Sequence, residues 1–65
     1  MKDLTPRQMQ ILRLLALGMT NRRIAGELGL SENTVRTHVE RIRRVMRAST
    51  RGEAVARARD LGILE

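Results

Sequence analysis

Gly29-Leu30-Ser31 separates two stretches of helical periodicity. This short break constrains the fold more than any other part of the 65-residue chain. Gly29 ends the first stretch as a residue that tolerates positive φ. Ser31 opens the second as an N-cap, its hydroxyl placed to accept from an orphan backbone N–H one turn on. Leu30 and Val35 take the N′ and N4 positions of a hydrophobic staple. Glu32 adds negative charge to the first turn, where the helix dipole favours it. The earlier stretch opens in the same way, with Thr20 as N-cap and Met19 and Ile24 as staple. Ile24, Ala25 and Leu28 then share one face at helical spacing. The sequence therefore predicts a helix over 21–28, a three-residue turn and a helix over 32–46.

On a wheel at 100° per residue, Val35, Val39, Ile42 and Met46 fall within one narrow sector, the stripe to be buried. The opposite sector holds Asn33, Arg36, Thr37, Glu40, Arg44 and Arg47. Fifteen helical residues make a rod about 22 Å long. The small Ala25, Gly29 and the inward Val35 suit a tight, near-perpendicular crossing of the two helices. This is the description of a helix-turn-helix, whose second helix enters the DNA major groove. The competing reading is a plain helical hairpin with a solvated outer face.

The flanks are also helical. Thr5 is a good N-cap, and Pro6 sits at N1, where its missing N–H costs nothing. The pattern predicts a helix over 6–17, with Gln8, Ile11, Leu12 and Leu15 inward and Gly18 closing it. Met9, Leu14 and Leu17 lie off that stripe, to flank the core or to face another domain or subunit. A last helix is expected over 51–61, capped by Ser49 or Thr50, with Ala54, Val55, Ala58 and Leu61 as its apolar side. Gly62 stops it. Its Ala-rich side serves either the core or the seam of a dimer. The expected fold class is all-α, four helices in a single domain over residues 1–65, after a polar lead at 1–3.

Composition narrows the function. The chain has no Phe, Tyr or Trp, so its core is aliphatic, and strand formers are sparse. It has no Cys, hence no disulfide, thiolate metal site or thiol nucleophile. The formal net charge is +6, nearly all of it from arginine, which implies a polyanionic partner. A membrane is disfavoured, because no apolar run approaches the ~20 residues that span a bilayer. No apolar h-region follows Met1-Lys2-Asp3, so no signal peptide is expected. RNA is less favoured than DNA, since single-strand readers stack bases on aromatic rings. The single His38 flanks the buried stripe without a catalytic partner, which leaves packing or a phosphate contact as its role. No metal cluster and no phosphate-binding Gly-rich loop is present. The expectation is a non-enzyme without metal or cofactor.

Several segments are more specific. They are Leu4-Thr5-Pro6-Arg7, Gly18-Met19-Thr20-Asn21, Ile24-Ala25, and the run from Ser31 through Glu32, Asn33, Thr34, Val35, Arg36, Thr37 and His38 to Val39. With the later Ser49, Arg51, Ala54 and Val55, they resemble the LuxR-type helix-turn-helix domain, and the likeness covers nearly all of the chain. That domain is the DNA-binding output module of many bacterial quorum-sensing regulators and response regulators. The resemblance implies a four-helix fold, the third helix as recognition helix and the fourth as dimer helix. It implies base reading by Arg36, Thr37 and Glu40, with Asn33 beside them. It implies phosphate contacts from Thr20, Asn21, Arg22, Arg23, Thr34, His38, Arg41 and Arg44, with Arg43 and Arg47 adding attraction. A homodimer seam would use Val55, Ala58, Arg59 and Leu61. The implied partners are double-stranded DNA, a second copy, and an upstream receiver or ligand-binding domain outside this chain. The implied setting is the bacterial cytoplasm.

Glu40 is acidic where many relatives are basic, and is expected to accept from a cytosine amino group or to pair with Arg36 or Arg44. Three departures stand out. Gln8 replaces a usual Glu, which removes a salt bridge in the first helix. Arg23 replaces a frequent Glu, which removes a capping box. Arg47 replaces a usual Gly or Asn after the recognition helix and unsettles that helix's ending. Two other readings remain: region four of a sigma factor, and a helical protein-interaction module using Met9, Leu14, Leu17 and the last helix.

Overall fold

In the computed structural model, which describes residues 4–64, each helix opens on a hydroxyl side chain. The polar lead expected at residues 1–3 lies outside the described residues. The helices are α1 (Pro6–Ala16), α2 (Asn21–Leu28), α3 (Glu32–Met46) and α4 (Arg51–Asp60). Thr5 Oγ1 accepts from the Gln8 N–H at 3.1 Å, and Gln8 Oε1 accepts from the Thr5 N–H at 3.1 Å. This reciprocal capping box gives the buried Gln8 a structural use as it stands. Thr20 accepts from the Arg23 N–H at 3.1 Å, but Arg23 has no acceptor to return, as its side chain predicts. Ser31 accepts from Thr34 at 3.1 Å and Thr50 from Glu53 at 3.0 Å. Glu53 Oε1 in turn accepts from the Ser49 N–H at 2.6 Å, one residue further back than in the usual box.

The ends of α2 and α3 fall where the sequence places them, and α1 and α4 each stop one residue earlier. The Leu17 N–H is shared between the Arg13 and Leu14 carbonyls, both at 3.2 Å, which tightens the last turn of α1. Leu61 caps α4 at φ −84° and ψ −2°, its N–H reaching the Arg57 carbonyl at 2.9 Å while the Gly62 N–H reaches the Arg59 carbonyl at 3.0 Å. α1, α2 and α4 are each followed by a glycine at positive φ, whereas α3 ends on Arg47 at φ 54°. The Ala48 N–H reaches the Arg43 carbonyl at 2.8 Å and the Arg47 N–H the Arg44 carbonyl at 3.1 Å. That is a Schellman ending built without glycine.

α3 packs against α1, α2 and α4, and α1 also meets α4. Ile11 and Leu12 of α1, Ile24 of α2, Val35 and Ile42 of α3, and Ala54 and Ala58 of α4 are fully buried. Each buried Leu, Ile or Val contributes about 1.5–3 kcal/mol through the area it removes from water. Met9 and Leu14, left between core and interface by the sequence, pack against this core, while Leu17 stays 73% exposed. Leu61 belongs to the surface rather than the apolar side of α4, at 65% exposed. One long-range bond closes the fold: Arg51 Nη2 donates to the Met19 carbonyl at 3.1 Å and ties the start of α4 to the α1–α2 linker.

Candidate nucleic-acid interface

Burying Val35, Val39, Ile42 and Met46 turns the other side of α3 outward by helical geometry alone. Asn33, Arg36, Thr37, Glu40, Arg41 and Arg44 are all exposed there. Among the described residues, Arg36, Arg41 and Arg44 take part in no ion pair. Thr37 Oγ1 donates to the Asn33 carbonyl at 3.0 Å. This bond to the preceding turn fixes the rotamer and keeps the oxygen's remaining lone pairs as acceptors. Ser31 Oγ and Thr34 Oγ1 lie 2.9 Å apart at the start of the helix.

The N-terminus of α2 forms the second part. Its first turn carries no acidic residue, so nothing offsets the positive end of the dipole. Thr20, Arg22 and Arg23 are exposed around it. Arg23 lies 3.7 Å from Glu27 in an exposed pair of small energetic weight. Asn21 and His38 are half-buried, and Asn21 Oδ1 and His38 Nδ1 are buried without a hydrogen-bond partner. A buried polar atom left unpaired is costly, and these two belong to residues expected to meet phosphates.

Three expectations need correction. Glu40 pairs with neither Arg36 nor Arg44: its Oε1 accepts from Arg43 Nη2 at 2.6 Å. Arg43 is therefore no free cation. Its Nη1 also donates to the Ser49 carbonyl at 3.2 Å and the Ala48 carbonyl at 3.5 Å, which straps α3 to the linker before α4. Of the four residues expected at a dimer seam, Val55 and Ala58 are buried in the protomer's own core, because α4 turns its small residues onto α1 and α3. Arg59 and Leu61 remain exposed. Sequence reasoning missed the Arg43 strap and the Arg51 tie. The Glu40–Arg43 spacing of three was a usable signal for the first; nothing local marks the second.

A short helix, a tight glycine turn and a long helix with an exposed arginine face define a helix-turn-helix domain of the DNA-binding kind. The family model for bacterial regulatory proteins of the luxR family matches residues 2–58. The chain belongs to that family, a family of DNA-binding domains of transcription regulators, and the sigma-factor reading gives way to this match. It is 46% identical over 48 residues to the two-component response regulator PprB of Pseudomonas aeruginosa, covering 74% of this chain and 18% of that protein. It is 42% identical over 52 residues to the nitrate/nitrite response regulator NarL of Escherichia coli, covering 80% of this chain and 24% of that protein. Among solved structures, the response regulator ChrA of a heme-sensing two-component system superposes with a TM-score of 0.93 at 33% identity. That match covers 98% of this chain and 32% of ChrA. The chain thus spans less than a third of the length of PprB, NarL or ChrA. Among the described residues, no helix is long and apolar enough to cross a membrane.

Proposed function

We propose that this chain reads double-stranded DNA sequence-specifically, with α3 in the major groove, and does so as a dimer on paired half-sites. The observation that carries the reading is the outward face of α3, where Asn33, Arg36, Thr37 and Glu40 are exposed and the Arg36 guanidinium is unpaired. Arg36 forks onto guanine O6 and N7, a contact worth about 1–3 kcal/mol of discrimination. Thr37, its hydroxyl hydrogen turned to the backbone, offers its methyl to a thymine methyl. The free oxygen of Glu40 accepts from a cytosine amino group.

Phosphates are met by Thr20, Asn21, Arg22 and Arg23 at the start of α2, and by Thr34, His38, Arg41 and Arg44 along α3. A second copy joins through the exposed Arg59 and Leu61 of α4, spacing half-sites by whole helical turns of roughly 34 Å. The coverage of PprB, NarL and ChrA supports an output domain whose receiver or ligand-binding domain lies outside this chain. Its place of action is the bacterial cytoplasm.

Selection from a random double-stranded library at about 150 mM salt tests this reading, because nonspecific attraction fades there. The expected result is enrichment of a two-fold symmetric motif. One half-site alone would remove the dimer from the proposal. Binding without enrichment that vanishes as salt rises would reduce the face to nonspecific attraction. No binding at low salt would favour a protein-interaction module.

A further inference from the structure

The geometry points to Arg43 as a positioning residue for DNA reading: it captures Glu40 and so keeps that carboxylate off Arg36 and Arg44. The inference rests on the proposed role of the α3 face. Glu40 stands four residues after Arg36 and four before Arg44. Both spacings bring side chains together on a helix, and the Glu-then-Arg order at four favours Arg44 in particular. A Glu40–Arg44 or Glu40–Arg36 pair would occupy a guanidinium that the DNA needs free. In the structure Glu40 makes neither pair. Its Oε1 lies 2.6 Å from Arg43 Nη2, in an exposed contact on the flank of α3.

Arg43 holds this position because its other end is fixed. Nη1 donates to the Ser49 and Ala48 carbonyls. Ser49 is held in turn by the bond from its N–H to Glu53 Oε1 at 2.6 Å. The Arg43 carbonyl accepts from the Ala48 N–H, so main chain and side chain of one residue grip the same linker. A fork with donors in fixed directions can serve the linker and Glu40 together, which a point cation cannot. Three consequences follow. Glu40 keeps Oε2 free of the Arg43 contact. Its charge, otherwise repelled by phosphates, is offset from the side. Arg36 and Arg44 keep their donors for the duplex.

The test is a double-mutant cycle on Glu40→Gln and Arg43→Met, read on a duplex selected by the wild-type chain and on a random-sequence duplex. Thermal melts establish that each variant is folded. Arg43→Met alone is expected to weaken binding to the selected duplex about tenfold, within the range of coupled neighbours. It should also flatten the salt slope by about one phosphate, as Glu40 swings onto Arg44. In the Glu40→Gln background Arg43→Met should change neither quantity. An equal loss of affinity in both backgrounds would overturn the inference, marking Arg43 as a plain phosphate contact if the salt slope falls with it, or as a plain linker strap if the slope holds and the melting temperature falls.

Arg43→Lys separates the two ends of the side chain. It should retain sequence preference through a pair with Glu40 while melting lower, and loss of preference with an unchanged melt would count against the inference. The selected motif of Glu40→Gln alone tests the underlying reading. An unchanged motif would remove base reading by Glu40, and the cycle would still decide whether Arg43 keeps Glu40 off its neighbours.

Discussion

The turn leading into α3 and the turn leading out of it each place one residue in the left-handed region, but the first uses Gly29 at φ 68° and the second Arg47 at φ 54°. A Cβ at Gly29 would meet nothing within 4 Å, so glycine serves there for its backbone freedom and not for space. On either side of this first turn, Ile24 of α2 and Val35 of α3 are fully buried in the common core where the two helices pack. At the exit, a non-glycine residue holds a conformation that costs roughly 1–2 kcal/mol. The Arg43 guanidinium and the Glu53 carboxylate hold the linker that follows. The entry is thus relaxed and apolar, while the exit is strained and held by charged side chains. The difference shows that the angle between α2 and α3 is set by packing, whereas the end of α3 depends on polar bonds that substitution can release.

Breaking the entry should have the largest effect. Ile24→Ala is expected to destabilise the chain by about 2–5 kcal/mol, a large part of what so small a domain has. Urea titration followed by circular dichroism measures it, and a loss below about 1 kcal/mol would mean that the entry is not held by packing. Gly29→Ala should cost about 1–2 kcal/mol, entirely from backbone strain, because the added methyl meets no neighbour. Arg47→Gly should have the opposite sign and a smaller size. It relieves left-handed strain but gives the unfolded chain more freedom, for a net gain of about 0.5–1 kcal/mol. A loss of stability in Arg47→Gly would show that the Arg47 side chain contributes contacts that outweigh its strain.

The same contrast explains what was legible in the sequence. Caps, staples and a 3.6-residue stripe are short-range signals, and they placed α2 and α3 to the residue. Gln8, Ile11, Leu12 and Leu15 were readable as the inward side of α1 for the same reason. The ends of α1 and α4 fall one residue early because each final turn closes on a three-residue bond, Gly18 N–H to the Leu15 carbonyl and Gly62 N–H to the Arg59 carbonyl, which no residue type announces. The Ala-rich stripe holding Val55 and Ala58 fits a core and a partner equally well, and the placement of α4 against α1 and α3 puts both residues in the core. Of the candidate interface, the outward side of α3 followed from the wheel. What Glu40 does there did not, since three arginines lay within its reach and the choice of Arg43 depends on carbonyls at Ala48 and Ser49, beyond the helix.

The proposed interface divides labour by residue: Arg36 on the outward face of α3 reads a base, whereas Arg22 at the start of α2 meets a phosphate. Its most direct test is competition binding of Arg36→Ala and Arg22→Ala against the selected duplex and its single-base variants, across a range of salt. Arg36→Ala is expected to lose about 1–3 kcal/mol on the selected duplex and to stop distinguishing one base pair. Arg22→Ala should weaken every duplex alike and lower the salt slope by about one, leaving the order of preference intact. Equal loss of preference and of affinity from both substitutions would show that Arg36 and Arg22 do not divide base reading from phosphate contact.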